Sequence, residues 1–137
     1  MSKMIVVGHA DVARGLISAV AAITGRDDVF VAVSNAGLGP AEIQRKLIEA
    51  VAETGARVIF TDLPMGSCST AALRLSRERP DVLIVTGVNL PMLLYAATHD
   101  TDDPATLAEA ALERARQAIR VIPGVPRPAG AEQAGAD

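Results

Sequence analysis

The sequence predicts a single α/β domain: a doubly wound, mainly parallel sheet in the order 2-1-3-4 with helices on both faces. Three observations carry this. Short β-branched apolar runs alternate strictly with segments of helical period. Those runs are apolar on both sides, as strands covered on both faces must be. Each is followed by a polar residue at its exit, as expected where a parallel sheet presents its C-terminal edge.

In order, MIVVG (residues 4–8) reads as a first buried strand. From Val12 the period lengthens, with Ala13, Leu16, Ile17, Val20 and Ile23 on one helical face and Gly25 as the stop. Residues 29–33 form a second strand. The next helix has Pro40 in its first turn, Ile43, Leu47 and Val51 inward, and Gly55 at its end. A third strand is expected over 57–61, then a short helix over 69–78 with Ala72 and Leu75 facing inward. The fourth strand spans 81–86, NLPMLLYAA forms a short helix, and a longer helix follows Asp103 as cap with Pro104 at its first position. Residues 1–122 thus form the domain, and 123–137, rich in Pro, Gly and Ala, are expected to be a disordered tail.

Composition excludes several classes of function. The chain has 137 residues, enough for one sizeable core, and is 50% hydrophobic but only 2% aromatic. Ala, Val, Ile and Leu must therefore fill the interior, with little to stack on bases or sugars. A net charge of −3 gives no general attraction for nucleic acid. No apolar run approaches the roughly 20 residues of a membrane span, and the N-terminal run is short for a signal peptide. A soluble, cytoplasmic protein without membrane insertion is expected. The single cysteine, Cys68, permits no intramolecular disulfide and has no metal-site spacing, so neither metal nor cofactor is expected.

The strand exits carry the candidate chemistry. His9 follows strand one, Asn35 strand two, Asp62 ends strand three and Asn89 follows strand four. In the order 2-1-3-4, strands one and three are neighbours whose following helices go to opposite faces, so His9 and Asp62 are the lips of the crevice where ligands bind. A carboxylate on Nδ1 fixes the imidazole tautomer and leaves Nε2 with a lone pair, a nucleophile or general base. Just beyond, GSCST opens a helix. Its backbone N–H groups at Gly66 and Ser67, with the hydroxyls of Ser67 and Ser69, form a cradle for a phosphate, and Asn89 at the neighbouring strand exit is a further candidate phosphate contact. Each of these residues also has a plainer reading. Asp62, Ser67, Ser69 and Thr70 can cap the third helix, Asn89 can cap the fourth, and His99 and the acidic run 100–103 can be solvated.

MIVVGHADVARGL, TDLPMGSCSTAA and VTGVNLPMLLYAA resemble the IIA domain of the mannose-type phosphoenolpyruvate-dependent sugar phosphotransferase system (mannose, fructose, sorbose, N-acetylgalactosamine). That family's blocks read GHG…A.GL, DLFGGTPSNAA and GVNLPMLLE, and the likeness runs from Met4 to about Ile122. It implies a phosphotransferase in which His9 takes a phosphoryl group from the histidine-containing phosphocarrier HPr. From there the group passes to a IIB component, which works with the IIC and IID membrane components. Asp62 then orients His9, and Ser67 holds the phosphoryl group. The family is also a homodimer with an exchanged antiparallel C-terminal strand, for which residues 118–122 (AIRVI) are the candidate. This chain departs from the pattern at Ala10, Met65, Cys68, Thr70 and Tyr95; Cys68 stands where the family has proline. The phosphotransfer subunit of dihydroxyacetone kinase shares the fold and the histidine, and a regulatory module whose phosphorylation state is read by a partner is a third reading. The GVNLPMLL block favours the sugar system.

Overall fold

The computed structural model describes residues 3–99, 101 and 103–125. Its elements are β1 (Met4–Gly8), α1 (Val12–Thr24), β2 (Phe30–Ser34), α2 (Pro40–Thr54), β3 (Val58–Thr61), α3 (Ser67–Glu78), β4 (Leu83–Val85), α4 (Leu90–Thr98) and α5 (Pro104–Ala118). The four strands form one parallel sheet in the order β2-β1-β3-β4.

Side-chain alternation divides the interior in two. Met4 and Val6 of β1, Phe30 of β2 and Val58 and Phe60 of β3 face α1, α4 and α5. Ile5 and Val7, with Val33 and Ile59, face α2 and α3 through Ile43, Leu47, Ala71, Ala72 and Leu75. Thus α1, which follows β1, and α3, which follows β3, lie on opposite faces. With so few aromatic side chains, the largest ring contact of the core is the edge-to-face pair Phe30–Phe60, centroids 6.2 Å apart.

Several boundaries differ from the sequence expectation. The third helix begins at Ser67 rather than 69, because Gly66 at φ 112° provides the sharp entry. Strands β2 and β3 are shifted or trimmed by one residue, and β4 is only three residues long. As an outer strand it has one neighbour among the described residues, so fewer ladder bonds define its ends. On α1, Ile23 is exposed rather than inward, at the edge of an open cavity of about 450 Å³ that Leu94, Tyr95 and Arg114 also line. Residues 119–122 form no strand in the single chain, and Val121 is 94% exposed. Of the tail expected to be disordered, residues 123–125 are exposed without regular structure and 126–137 lie outside the described residues, as do Asp100 and Asp102 of the acidic run.

Candidate functional site

Register brings the site together. Val7 pairs with Thr61 in the β1–β3 ladder, so one step further Gly8 and Asp62 lie side by side and His9 crosses the gap. Gly8 is what lets them meet: a Cβ there would sit 3.2 Å from Asp62 Oδ2. One carboxylate oxygen, Asp62 Oδ2, accepts from the His9 backbone N–H at 2.8 Å and lies 2.8 Å from His9 Nδ1. The His9 side chain is 39% exposed and that of Asp62 only 12%. Burial is the largest single influence on the Asp62 carboxyl and pushes its pKa up. The backbone and ring hydrogen bonds of His9, with the attraction of its ring, outweigh burial and leave the pKa below the usual carboxylate value. Asp62 holds its charge.

With Nδ1 against the carboxylate, Nε2 is the ring nitrogen left for chemistry. The backbone of Gly66 passes in front of it: a Cβ there would lie 3.6 Å from His9 Cε1 and 3.8 Å from Nε2. Gly66 therefore keeps open the space a transferred group needs, and its positive φ suits no other residue well. Ser67 follows as the first residue of α3, where backbone N–H groups lack intrahelical acceptors and the helix dipole favours an anion.

Two proposed phosphate contacts are spent elsewhere. Ser69 is buried and hydrogen-bonds with the Leu63 carbonyl and the Thr61 hydroxyl, tying α3 to the end of β3. Asn89 caps α4, accepting from Met92 N–H at 3.0 Å, while its amide donates to the Ala115 carbonyl at 3.3 Å. Neither side chain is available as a phosphate ligand in this arrangement. His99 ends α4, stacked on Tyr95 with ring centroids 3.8 Å apart and an interplanar angle of 13°.

Sequence reasoning missed Ser34 and the role of Asn35. Ala10 has φ 48°, the left-handed region an alanine seldom occupies. Both ends of this residue are gripped by the exit of β2: Asn35 Oδ1 accepts from Ala10 N–H at 3.1 Å, and the Ser34 hydroxyl donates to Ala10 O at 2.8 Å. A polar pair at the end of an apolar strand was the available signal. Ala10→Gly removes the left-handed penalty of about 1–2 kcal/mol but returns part of it as unfolded-chain entropy. A net gain of about 0.5–1 kcal/mol is expected in urea unfolding; a loss of that size would show that Ala10 is not strained.

Among the described residues, His9, Asp62 and Cys68 make a cluster of metal-ligating types, with one ligand atom from each all within 4.8 Å of one another. The Cys68 thiol is buried, and burial together with the Asp62 charge raises its pKa, against a smaller opposite effect of a Ser67 hydrogen bond.

Fold and site together define a doubly wound α/β domain with a carboxylate-held histidine at the switch point between β1 and β3. The chain belongs to the EIIA-man family, described as the PTS system fructose IIA component, whose family model matches residues 3–119. Members of this family are PTS IIA-type phosphocarriers, and the family implies HPr- and IIB-type components as partners. The chain is similar to the PTS component EIIA of Streptococcus agalactiae: 25% identity, TM-score 0.80, covering 88% of this chain and 97% of the other. It is likewise similar to the mannose/sorbose-specific IIA subunit of Enterococcus faecalis, at 24% identity and TM-score 0.80, covering 92% and 97%. A third similar structure is the PTS IIA protein associated with the fucose utilization operon of Streptococcus pneumoniae, at 22% identity and TM-score 0.71, covering 88% and 96%. The comparison with curated proteins gave no match. No helix among the described residues is long and apolar enough to cross a membrane.

Proposed function

We propose that this protein carries a phosphoryl group on His9, received from phospho-HPr and passed to a IIB component during sugar uptake. The observation that carries the reading is Asp62 Oδ2 lying 2.8 Å from Nδ1. It supports a ring proton on Nδ1, with the Nε2 lone pair on the side of the space that Gly66 keeps open. Nε2 attacks phosphorus, a phosphorus–nitrogen bond forms at His9, and the electron pair of the breaking bond returns to the donor's histidine. The phosphorylated ring keeps its Nδ1 proton, and Asp62 offsets the positive character the ring gains. First-turn amides of α3 and the Ser67 hydroxyl supply donors to the phosphoryl oxygens. Neither cofactor nor metal enters these steps. The family match favours this reading over the dihydroxyacetone kinase subunit. Incubation with phosphoenolpyruvate, enzyme I and HPr, followed by mapping of acid-labile phosphate, tests it. One phosphate per chain on His9 supports it, and none overturns it.

The same reading includes a dimer. Among the described residues the outer edge of β4 has no partner strand, and a groove of about 420 Å³ lined by Leu83, Val85, Ala108 and Leu112 runs between it and α5. Ile119, Val121 and Ile122 are exposed apolar residues just beyond α5. Residues 118–122 of a second copy, laid antiparallel along β4, cover both surfaces at once. Sedimentation at tens of micromolar is expected to give a dimer of the 14.2 kDa chain. A persistent monomer would remove the strand exchange from the proposal.

A further inference from the structure

Cys68 stands where the family pattern has proline, and it puts a thiol against the ring the carboxylate already holds. Its Sγ lies 4.0 Å from His9 Nδ1, and Nδ1 lies 2.8 Å from Asp62 Oδ2. The second carboxylate oxygen, Asp62 Oδ1, is buried and has no hydrogen-bond partner among the described residues. An orphaned acceptor of this kind has given up its hydration without replacement, a cost a cation can recover. We propose that His9 Nδ1, the Asp62 carboxylate and Cys68 Sγ form a three-donor site for a borderline-soft divalent cation of the Zn2+ type, and that occupation of this site switches off phosphoryl acceptance.

The donor set and its spacing fit such an ion. Zinc binds imidazole nitrogen at about 2.0–2.1 Å, carboxylate oxygen at about 2.0–2.2 Å and thiolate at about 2.3 Å, which spaces tetrahedral donors roughly 3.3–3.8 Å apart. The Nδ1–Oδ2 separation is shorter because the two share a proton, and it opens when an ion takes that proton's place. Nδ1 and Sγ need to close by only a few tenths of an ångström. One nitrogen, one oxygen and one sulfur donor suit Zn2+ or Co2+ and not Mg2+, which takes oxygen ligands.

The bonds and protons balance without redox chemistry. Three metal–ligand bonds form as waters leave the ion. The thiol releases one proton to solvent. The ring loses its Nδ1 proton and gains one at Nε2, so it stays neutral overall. Nε2 then carries a proton where it previously carried a lone pair, and it can no longer attack phosphorus. Coordination at one ring nitrogen thus silences the other. This consequence rests on the phosphocarrier reading; the binding itself does not.

Co2+ titration of the whole chain separates the two. The wild-type protein is expected to bind one Co2+ with a sulfur-to-cobalt charge-transfer band in the near ultraviolet. Cys68→Ser removes the band. His9→Ala and Asp62→Asn each weaken binding by roughly ten- to a hundredfold or more, with circular dichroism confirming the fold. No band at millimolar Co2+, or a band of wild-type affinity in His9→Ala and Asp62→Asn, overturns the site. A second arm follows transfer from isolated phospho-HPr with and without Zn2+. Zn2+ is expected to slow the wild-type chain at least about tenfold and Cys68→Ser less than about twofold, as the weakened site of the variant dictates. Equal slowing of both overturns the switch. Absence of transfer to the metal-free chain counts against the phosphocarrier reading and leaves the cobalt result standing.

Discussion

His9→Ala is expected to abolish phosphate acceptance from phospho-HPr, whereas His99→Ala leaves it intact. Alanine removes the only imidazole at the sheet's C-terminal rim among the described residues, and no other side chain there offers a neutral nitrogen lone pair. His99 provides the internal control because it sits at the other end of α4 from the rim. That helix has nine residues, which at 1.5 Å per residue is a separation of roughly 13 Å. Its ring is also occupied, stacked on Tyr95 with Nδ1 3.0 Å from the Tyr95 carbonyl. Stoichiometric, acid-labile labelling of the His9→Ala protein would place the phosphoryl group elsewhere. The His9 side chain is 39% exposed, so its loss opens no buried cavity, and circular dichroism of the variant confirms that a negative result reports chemistry and not unfolding.

Asp62→Asn should slow transfer by about 10²- to 10³-fold, measured by rapid quench from phospho-HPr. Removing an orienting aspartate from a catalytic triad costs about 10⁴-fold; here the donors at the start of α3 are independent of Asp62, so the loss is smaller. The mechanism of the loss is specific. A single oxygen, Oδ2, serves both the His9 backbone N–H and Nδ1. An asparagine that keeps its oxygen there must bury its NH₂ where Asp62 Oδ1 has no partner. Turned the other way, it sets two donors against two donors. Neither orientation supplies the negative charge. A wild-type rate for Asp62→Asn would reduce Asp62 to a structural residue.

The same variant has a pH signature in equilibrium unfolding. The folded-state pKa of Asp62 is depressed, so the native state binds its proton less readily than the unfolded chain. The stability this confers is fully present above the unfolded value of about 3.9 and disappears as the pH falls through the lower folded value. The stability gap between wild type and Asp62→Asn should therefore stand above the carboxylate range and close as the pH falls through it. A gap that stays open in strong acid would contradict the charge assignment.

Much of this protein could be read from local pattern. Short apolar runs rich in β-branched residues, and helices stopped by Gly25 and Gly55, both in the left-handed conformation, are properties of neighbouring residues, so order and topology followed from the sequence. His9 and Asp62 were legible as a pair because a parallel sheet must bring its strand exits to one edge. Tertiary structure decided the rest, because those features depend on contacts between distant residues. His9 and Asp62, 53 positions apart in the chain, are brought together by the β1–β3 register, and that register makes Gly8 necessary. Ser34 and Asn35 grip Ala10 across another strand pair. Ser69 and Asn89 carry side chains suited to phosphate, but the packing of α3 on β3 and of α4 on α5 engages their hydrogen bonds first. A lone cysteine has no spacing from which a site can be read; the thiol of Cys68 acquires its neighbours only when α3 docks beside β1 and brings it to the histidine.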